Sequence, residues 1–175
     1  MHKMAKKKSH KELLSTINSV KSRVKDSKVY TDLCKEYGVE PDYIYLIPMA
    51  FIDLEVSART EKGCIYFNHT LLEEGGFEKD DHYMMHEIVH HFQQCFGDGP
   101  TKGSTDDTYL DNEYEQEGFK AQTEYLSETR DDEAAKKYIN KVLDHHEIPQ
   151  KERTKRKKDL LNLAAIIASK TNSVV

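Results

Sequence analysis

His86-Glu87-Ile88-Val89-His90 places two imidazoles and one carboxylate at a spacing that can do metal chemistry. Residues four apart share one face of an α-helix, so His86 and His90 can present ring nitrogens to a single ion. Glu87 is rotated to the side of that ion, where a carboxylate can take a proton from water. Two imidazoles beside a general base suit Zn2+. The surrounding residues predict the helix the motif needs: Met85, Ile88, Val89, Phe92 and Phe96 recur at helical spacing. Asp80 and Asp81 lie near its start, where carboxylates suit the positive end of the dipole, and Gly97 marks its end. With nine histidines in the chain, a chance occurrence is the competing explanation. The amphipathic setting favours the metal site over chance. His91 points about 100° from His90 and reads as a partly exposed polar residue. His82 shares the face of His86 and His90, at the helix entrance, close to the metal or solvated.

A catalytic zinc site takes three protein ligands and keeps one position open. The downstream segment 111–126 offers the third. Tyr114, Gly118, Ala121 and Tyr125 form one helical stripe, widened by Phe119 and Leu126. Glu115 and Gln122 fall within that arc, while Glu113 and Glu117 fall outside it. A carboxylate on an apolar face is costly unless it is paired or bound to a cation, which singles out Glu115.

His86-Glu87-Ile88-Val89-His90 followed by Glu115-Gln116-Glu117-Gly118 resembles the H-E-x-x-H … E-x-E-A arrangement of gluzincin-type zinc metallopeptidases. The resemblance spans about residues 43–128 and implies His86, His90 and Glu115 as zinc ligands. It departs from the pattern at Gly118, where Ala is usual, and at Phe119, where some subfamilies carry an Asp that supports a histidine ligand. A second segment, Gly103-Ser104-Thr105-Asp106-Asp107-Thr108-Tyr109, is similar to the G-T-x-D-x-x-Y segment of aspzincin peptidases. That alignment would make Asp106 the third ligand and Tyr109 a transition-state donor. Its composition is also ordinary loop composition. Glu115 is preferred because the helical arc supports it independently.

A chain of 175 residues is long enough for one domain with a sizeable core. Cys34, Cys64 and Cys95 are odd in number and far apart, which predicts reduced thiols and a cytoplasmic setting. Cys95, one turn past His90, reads as packed. No apolar run is long enough to span a bilayer, and the basic N-terminus lacks the apolar core of a secretory signal. Charge is uneven. The net charge is −5, yet residues 1–28 carry +7 and residues 151–175 carry +5, leaving −17 for residues 29–150. Basic ends allow nucleic-acid contact, but solvated helix faces account for them as well, and no aromatic residues are interleaved for base stacking.

The elements that must position the motif follow in order. Residues 1–8 read as a basic tail and 9–175 as one domain. Ser9-His10-Lys11-Glu12 has a capping-box pattern before a helix with Leu13, Leu14, Ile17, Val20 and Val24. A second helical piece ends at Gly38. Tyr43 to Phe51 and Ile52 to Ala58 read as strands, Glu61-Lys62-Gly63 as a turn and Cys64 to Asn68 as the return strand. Gly75-Gly76 break the segment before the motif helix, and the stretch from Gly97 to Asp107 reads as a polar loop. Residues 131–144 and about 159–169 read as further helices. The expected fold is α+β and zincin-like: a small antiparallel sheet packed with the motif helix, a ligand helix, additional N-terminal helices, and C-terminal helices over 131–170. In such folds an edge strand beside the zinc receives an extended peptide. The expected function is hydrolysis of peptide bonds in a peptide or protein substrate, with Glu87 as general base. Tyr109, Tyr114, His145 and His146 are candidate oxyanion donors. The alternatives are an inactive zincin-fold interaction protein and a nucleic-acid-associated protease.

Overall fold

Ser9 starts the first helix with a reciprocal cap. Its backbone N–H donates to Glu12 Oε2 at 2.6 Å, and its Oγ accepts from the Glu12 N–H at 3.2 Å. The structure is a computed structural model that describes residues 7–73, 76–101, 111–145 and 152. Helix α1 (His10–Lys25) turns Ile17, Val20 and Val24 into the core. Helix α2 (Lys28–Tyr37) is capped by Ser27 and ends at Gly38, whose φ of 66° suits a residue without Cβ. A 3-10 helix (Pro41–Leu46) then leads to strands β1 (Met49–Ile52), β2 (Ala58–Glu61) and β3 (Cys64–Asn68). Two further 3-10 turns precede helix α3 (His82–Phe96), and helices α4 (Glu113–Thr129) and α5 (Asp132–His145) complete the described chain. The class is α+β. The expected C-terminal helix at 159–169 lies outside the described residues, as do Gly75 and most of the expected loop before Asp107.

The sheet region corrects three expectations. It is mixed, not antiparallel: β3 lies between β1 and β2, parallel to β1 and antiparallel to β2. Residues 53–57 do not continue a strand; they carry the chain past the end of the sheet to the far side of β3. The Asn68 side-chain amide fixes this crossing by donating to the carbonyls of Leu54 and Val56, at 2.7 and 3.1 Å. The Tyr- and Ile-rich start of the expected first strand is 3-10 helical because Pro41 opens a helical turn there. Ile44 then enters the core and Tyr43 packs on Phe92. The β2–β3 hairpin turns through Lys62 and Gly63, both at positive φ (50° and 78°), a combination that matches the twist of tight hairpins.

Helix α3 lies at the centre. Met84, Met85, Ile88, Val89 and Phe92 are fully buried, while Phe96, expected in the same stripe, is exposed and packs edge-on against Tyr43. Helix α4 packs along α3 and serves two cores. Ala121 and Tyr125 join the main one, and Phe119 and Leu126 join Ala135, Ile139, Val142 and Leu143 of α5. The entrance to α3 is pinned by Asp81, a buried carboxylate. It pairs with Arg23 of α1 and with Arg130 beyond α4, each at 3.0 Å, and accepts from the Tyr125 hydroxyl at 2.7 Å. A buried carboxylate is tolerated because it is matched this way. None of the described helices is long and apolar enough to cross a membrane.

Candidate metal centre

The apolar residues of α3 take one side of the helix, so His86 and His90, four apart, face α4. Glu115 comes from the first turn of α4, whose start is set by Asn112: its side chain accepts from the N–H groups of Tyr114 and Glu115, at 3.0 and 3.3 Å. All three side chains are buried. His86 Nε2 and His90 Nε2 lie 3.0 Å apart, and Glu115 Oε2 lies 3.2 and 3.1 Å from them. Donors bound about 2.0–2.2 Å from one tetrahedral ion lie roughly 3.2–3.6 Å apart, close to this triangle. The group is the one set of three or more potential metal-binding side chains among the described residues.

The protons identify what the triangle lacks. His86 Nδ1 faces Gln122 Oε1 at 2.9 Å, and His90 Nδ1 faces Gln93 Oε1 at 2.8 Å. Each Nδ1 therefore carries the hydrogen, and each Nε2 turns a lone pair toward the other and toward the Glu115 carboxylate. Three acceptors converge, and a cation must lie among them. Without a metal ion the cation is a proton. Burial opposes charge on His90, yet its hydrogen bond to Glu115 and the fields of Glu87 and Glu115 push its pKa up to about 9. Burial likewise opposes charge on Glu115, but hydrogen bonds with His86 and His90 outweigh it and hold the carboxyl far below its usual range.

A layer of neutral amides and packing fixes the ring orientations. Gln122 Nε2 donates onward to His82 Nδ1 at 2.7 Å, and Gln93 Nε2 donates to the Tyr114 carbonyl at 3.1 Å and to Glu117 Oε2 at 2.7 Å. The Phe119 ring stands edge-on to His86 at 5.1 Å. Gln122 thus supports His86 where the resemblance would put an Asp at position 119. Gly118 packs directly under His86: a Cβ there would come within 2.8 Å of Nε2. Glu87 is buried, and Thr60 of β2 donates to its Oε2 at 2.6 Å. Strand β2, one of the two outer strands of the sheet, therefore lies beside Glu87.

Among the other expected site residues, His82 is buried, and its pKa is lowered to about 3 by burial and by the charges of Arg130 and Lys141. His91 is a correction: it is buried, bonded to the Gly63 carbonyl at 2.6 Å and to the Tyr43 hydroxyl at 2.8 Å, because α3 is covered on that side too. Cys95 is another, being exposed where packing was expected. The Tyr114 hydroxyl donates to the Asp98 carbonyl at 3.3 Å. Asp106, Tyr109 and His146 lie outside the described residues, as does the side chain of His145. Sequence reasoning missed Gln93, Thr60 and Tyr138. The Tyr138 ring of α5 lies 4.9 Å from His82. Its phenol is held protonated by burial and by Tyr83, against a hydrogen bond with Gln122, with Glu87 and Glu115 adding to the rise. Only Gln93 carried a usable signal, three residues after His90 on the same helix. Position alone could not reveal Thr60 and Tyr138, which arrive from other elements. No family model, curated protein or solved structure matches the chain.

Proposed function

We propose that the chain is a zinc-dependent hydrolase of peptide bonds, with a zincin-like fold of the gluzincin type. The observation that carries this reading is the buried triangle of three acceptors, His86 Nε2, His90 Nε2 and Glu115 Oε2, with the Glu87 carboxylate on the next position of the same helix. Zinc held there supplies Lewis acidity toward a substrate carbonyl and makes water a stronger acid near neutral pH. Glu87 accepts the proton from the attacking water at its carboxylate, while Thr60 holds Oε2. The C–O bond forms first at the carbonyl carbon, and the C–N bond then breaks as Glu87 returns the proton to the leaving amine. Gln122 and Gln93 keep both Nδ1 atoms protonated and the rings in place. Phe119 covers His86 with an apolar edge and limits water there. The outer position of β2, next to Glu87, supports an extended substrate pairing along that edge. Tyr138 joins the candidate donors for the developing oxyanion.

The test is elemental analysis of the purified full chain together with hydrolysis of a quenched-fluorescence peptide library. About one zinc per chain, lost in His86→Ala and in His90→Ala, is expected. Cleavage should vanish with chelator and return with zinc. Stoichiometric zinc surviving both substitutions would remove the site. Zinc without cleavage would favour the alternative, an inactive zincin-fold interaction protein.

A further inference from the structure

A groove of about 600 Å³ is bounded by the entrance to α3, the end of α4 and one side of α5. Its charge is out of character with its surroundings. Residues 29–150 hold ten Lys and Arg in a strongly acidic stretch, and four of them, Lys79, Arg130, Lys137 and Lys141, line this groove. Arg130 is committed to Asp81. Lys79, Lys137 and Lys141 are exposed and make no ion pair among the described residues. Among the described residues two carboxylates, Asp80 and Asp144, line the same groove. Burial raises the Asp80 carboxyl despite Lys79, Lys141 and Arg130 nearby.

The groove approaches the metal centre at His82. His82 and Tyr138 line it. His82 is joined to His86 through Gln122 by two hydrogen bonds, 2.7 and 2.9 Å. His82 lies one helical turn before His86, about 5–6 Å along α3. The wall of the groove formed by His82 is thus one helical turn from the first histidine of the centre.

We propose that this groove is a subsite for acidic peptide: it takes an Asp or Glu side chain of a substrate whose scissile bond lies at the metal centre. The proposal rests on the peptidase reading above. A peptide fits better than nucleic acid because, with Arg130 committed to Asp81, the three lysines exceed the two carboxylates among the described lining residues by one positive charge. That suits one carboxylate, whereas a phosphate backbone calls for a longer basic track. The lysines act as mobile point charges on exposed stems and select for charge more than for shape.

The experiment uses the full chain, zinc-loaded and chelator-treated, and fluorescence anisotropy with a labelled octapeptide carrying two Glu, against the same peptide with Gln in their place. The Glu peptide should bind about tenfold more tightly, and the preference should shrink with added salt. Lys137→Glu with Lys141→Glu should abolish or invert the preference. Lys137→Arg with Lys141→Arg should keep it. Both positions are exposed, and circular dichroism of each variant shows whether the fold persists. Equal affinity for the two peptides, no binding of the Glu peptide at millimolar concentration, or a preference indifferent to the Glu substitutions overturns the proposal. So does a single-stranded oligodeoxynucleotide that binds through the same lysines more tightly than the Glu peptide. Hydrolysis is scored separately: an acidic preference without cleavage retains the groove and sinks the peptidase, and cleavage without the preference does the reverse.

Discussion

Gly118 and His86 are in direct contact across the α3–α4 interface, and the Cβ of any other residue at 118 would lie 2.8 Å from His86 Nε2 and 2.9 Å from its Cε1. The atom struck is the one that faces Glu115 and His90. A glycine inside a helix costs about 1 kcal/mol relative to alanine, so Gly118 weakens α4 locally and lets it approach the imidazole. Gly118→Ala is therefore predicted to separate helix stability from metal binding. The metal-free variant should melt within a few degrees of the wild type, while its zinc affinity falls at least tenfold in a competition titration. Unchanged affinity would mean that the two helices open freely and that the contact does not constrain the ring.

The two glutamines that hold the ligand imidazoles make the second prediction. Gln122→Ala removes the acceptor at His86 Nδ1, and Gln93→Ala removes the one at His90 Nδ1. Each change frees a ring to rotate or to switch tautomer. Zinc affinity should drop about 10–100-fold in either variant, the usual range for such supporting groups. Gln122→Glu should retain binding, since a carboxylate also accepts from Nδ1–H. Isothermal titration on the three variants decides it; a Gln122→Ala protein with wild-type affinity would leave His86 oriented by packing alone.

The centre was more legible in the chain than the sheet was. His86, Glu87 and His90 belong to one helix, and helix geometry needs only spacing. Glu115 could be reached because a carboxylate inside an apolar arc requires a cation, and the structure groups it with both histidines. Gln122 was visible in the same arc, but its partner His82 lies 40 residues away and no local rule joins them. The sheet failed for a different reason. Tyr43 and Ile44 have strand-like side chains, yet Pro41 starts a helical turn there and Ile44 finds its burial without a strand. Alternation in 52–58 describes a chain crossing the sheet end as well as a strand. His91 was misjudged because spacing gives its direction and not what covers it.

Glu87 and Thr60 divide the third prediction. Glu87→Gln should keep zinc and fold, since Thr60 Oγ can donate to the amide oxygen as it does to Glu87 Oε2. Hydrolysis should fall about 10²–10⁴-fold, the usual worth of a general base. Thr60→Val leaves the base in place but unheld, and kcat should fall roughly tenfold, about 1.4 kcal/mol, with little change in KM. Zinc loss in Glu87→Gln would show that the carboxylate has been given the wrong role.

The acid sensitivity of the metal-free protein turns on His82. Its folded pKa is lowered to about 3 by burial and by Arg130, Lys141 and His86, against about 6.5 in an unfolded chain. Below pH 6.5 the unfolded state takes up a proton that the folded state refuses. Stability therefore falls as pH drops from 6.5 toward 3, by at most about 1.4 kcal/mol per pH unit from this group. Glu115 adds to the same limb, because its folded pKa is lowered and its contribution is lost as pH falls below the ordinary carboxylate range. His90 acts in the opposite window. Its folded pKa, raised to about 9, gives stability that is complete below 6.5 and is lost as pH rises to 9. Chelator-treated protein should thus be most stable near pH 6–7 in urea unfolding. His82→Gln keeps an acceptor for Gln122 Nε2 and removes the titration. Between pH 7 and pH 4.5 the variant should lose roughly 2 kcal/mol less than the wild type. Identical losses would mean that His82 is protonated in the folded state, and that the hydrogen bond from Gln122 Nε2 to its Nδ1 does not form in solution.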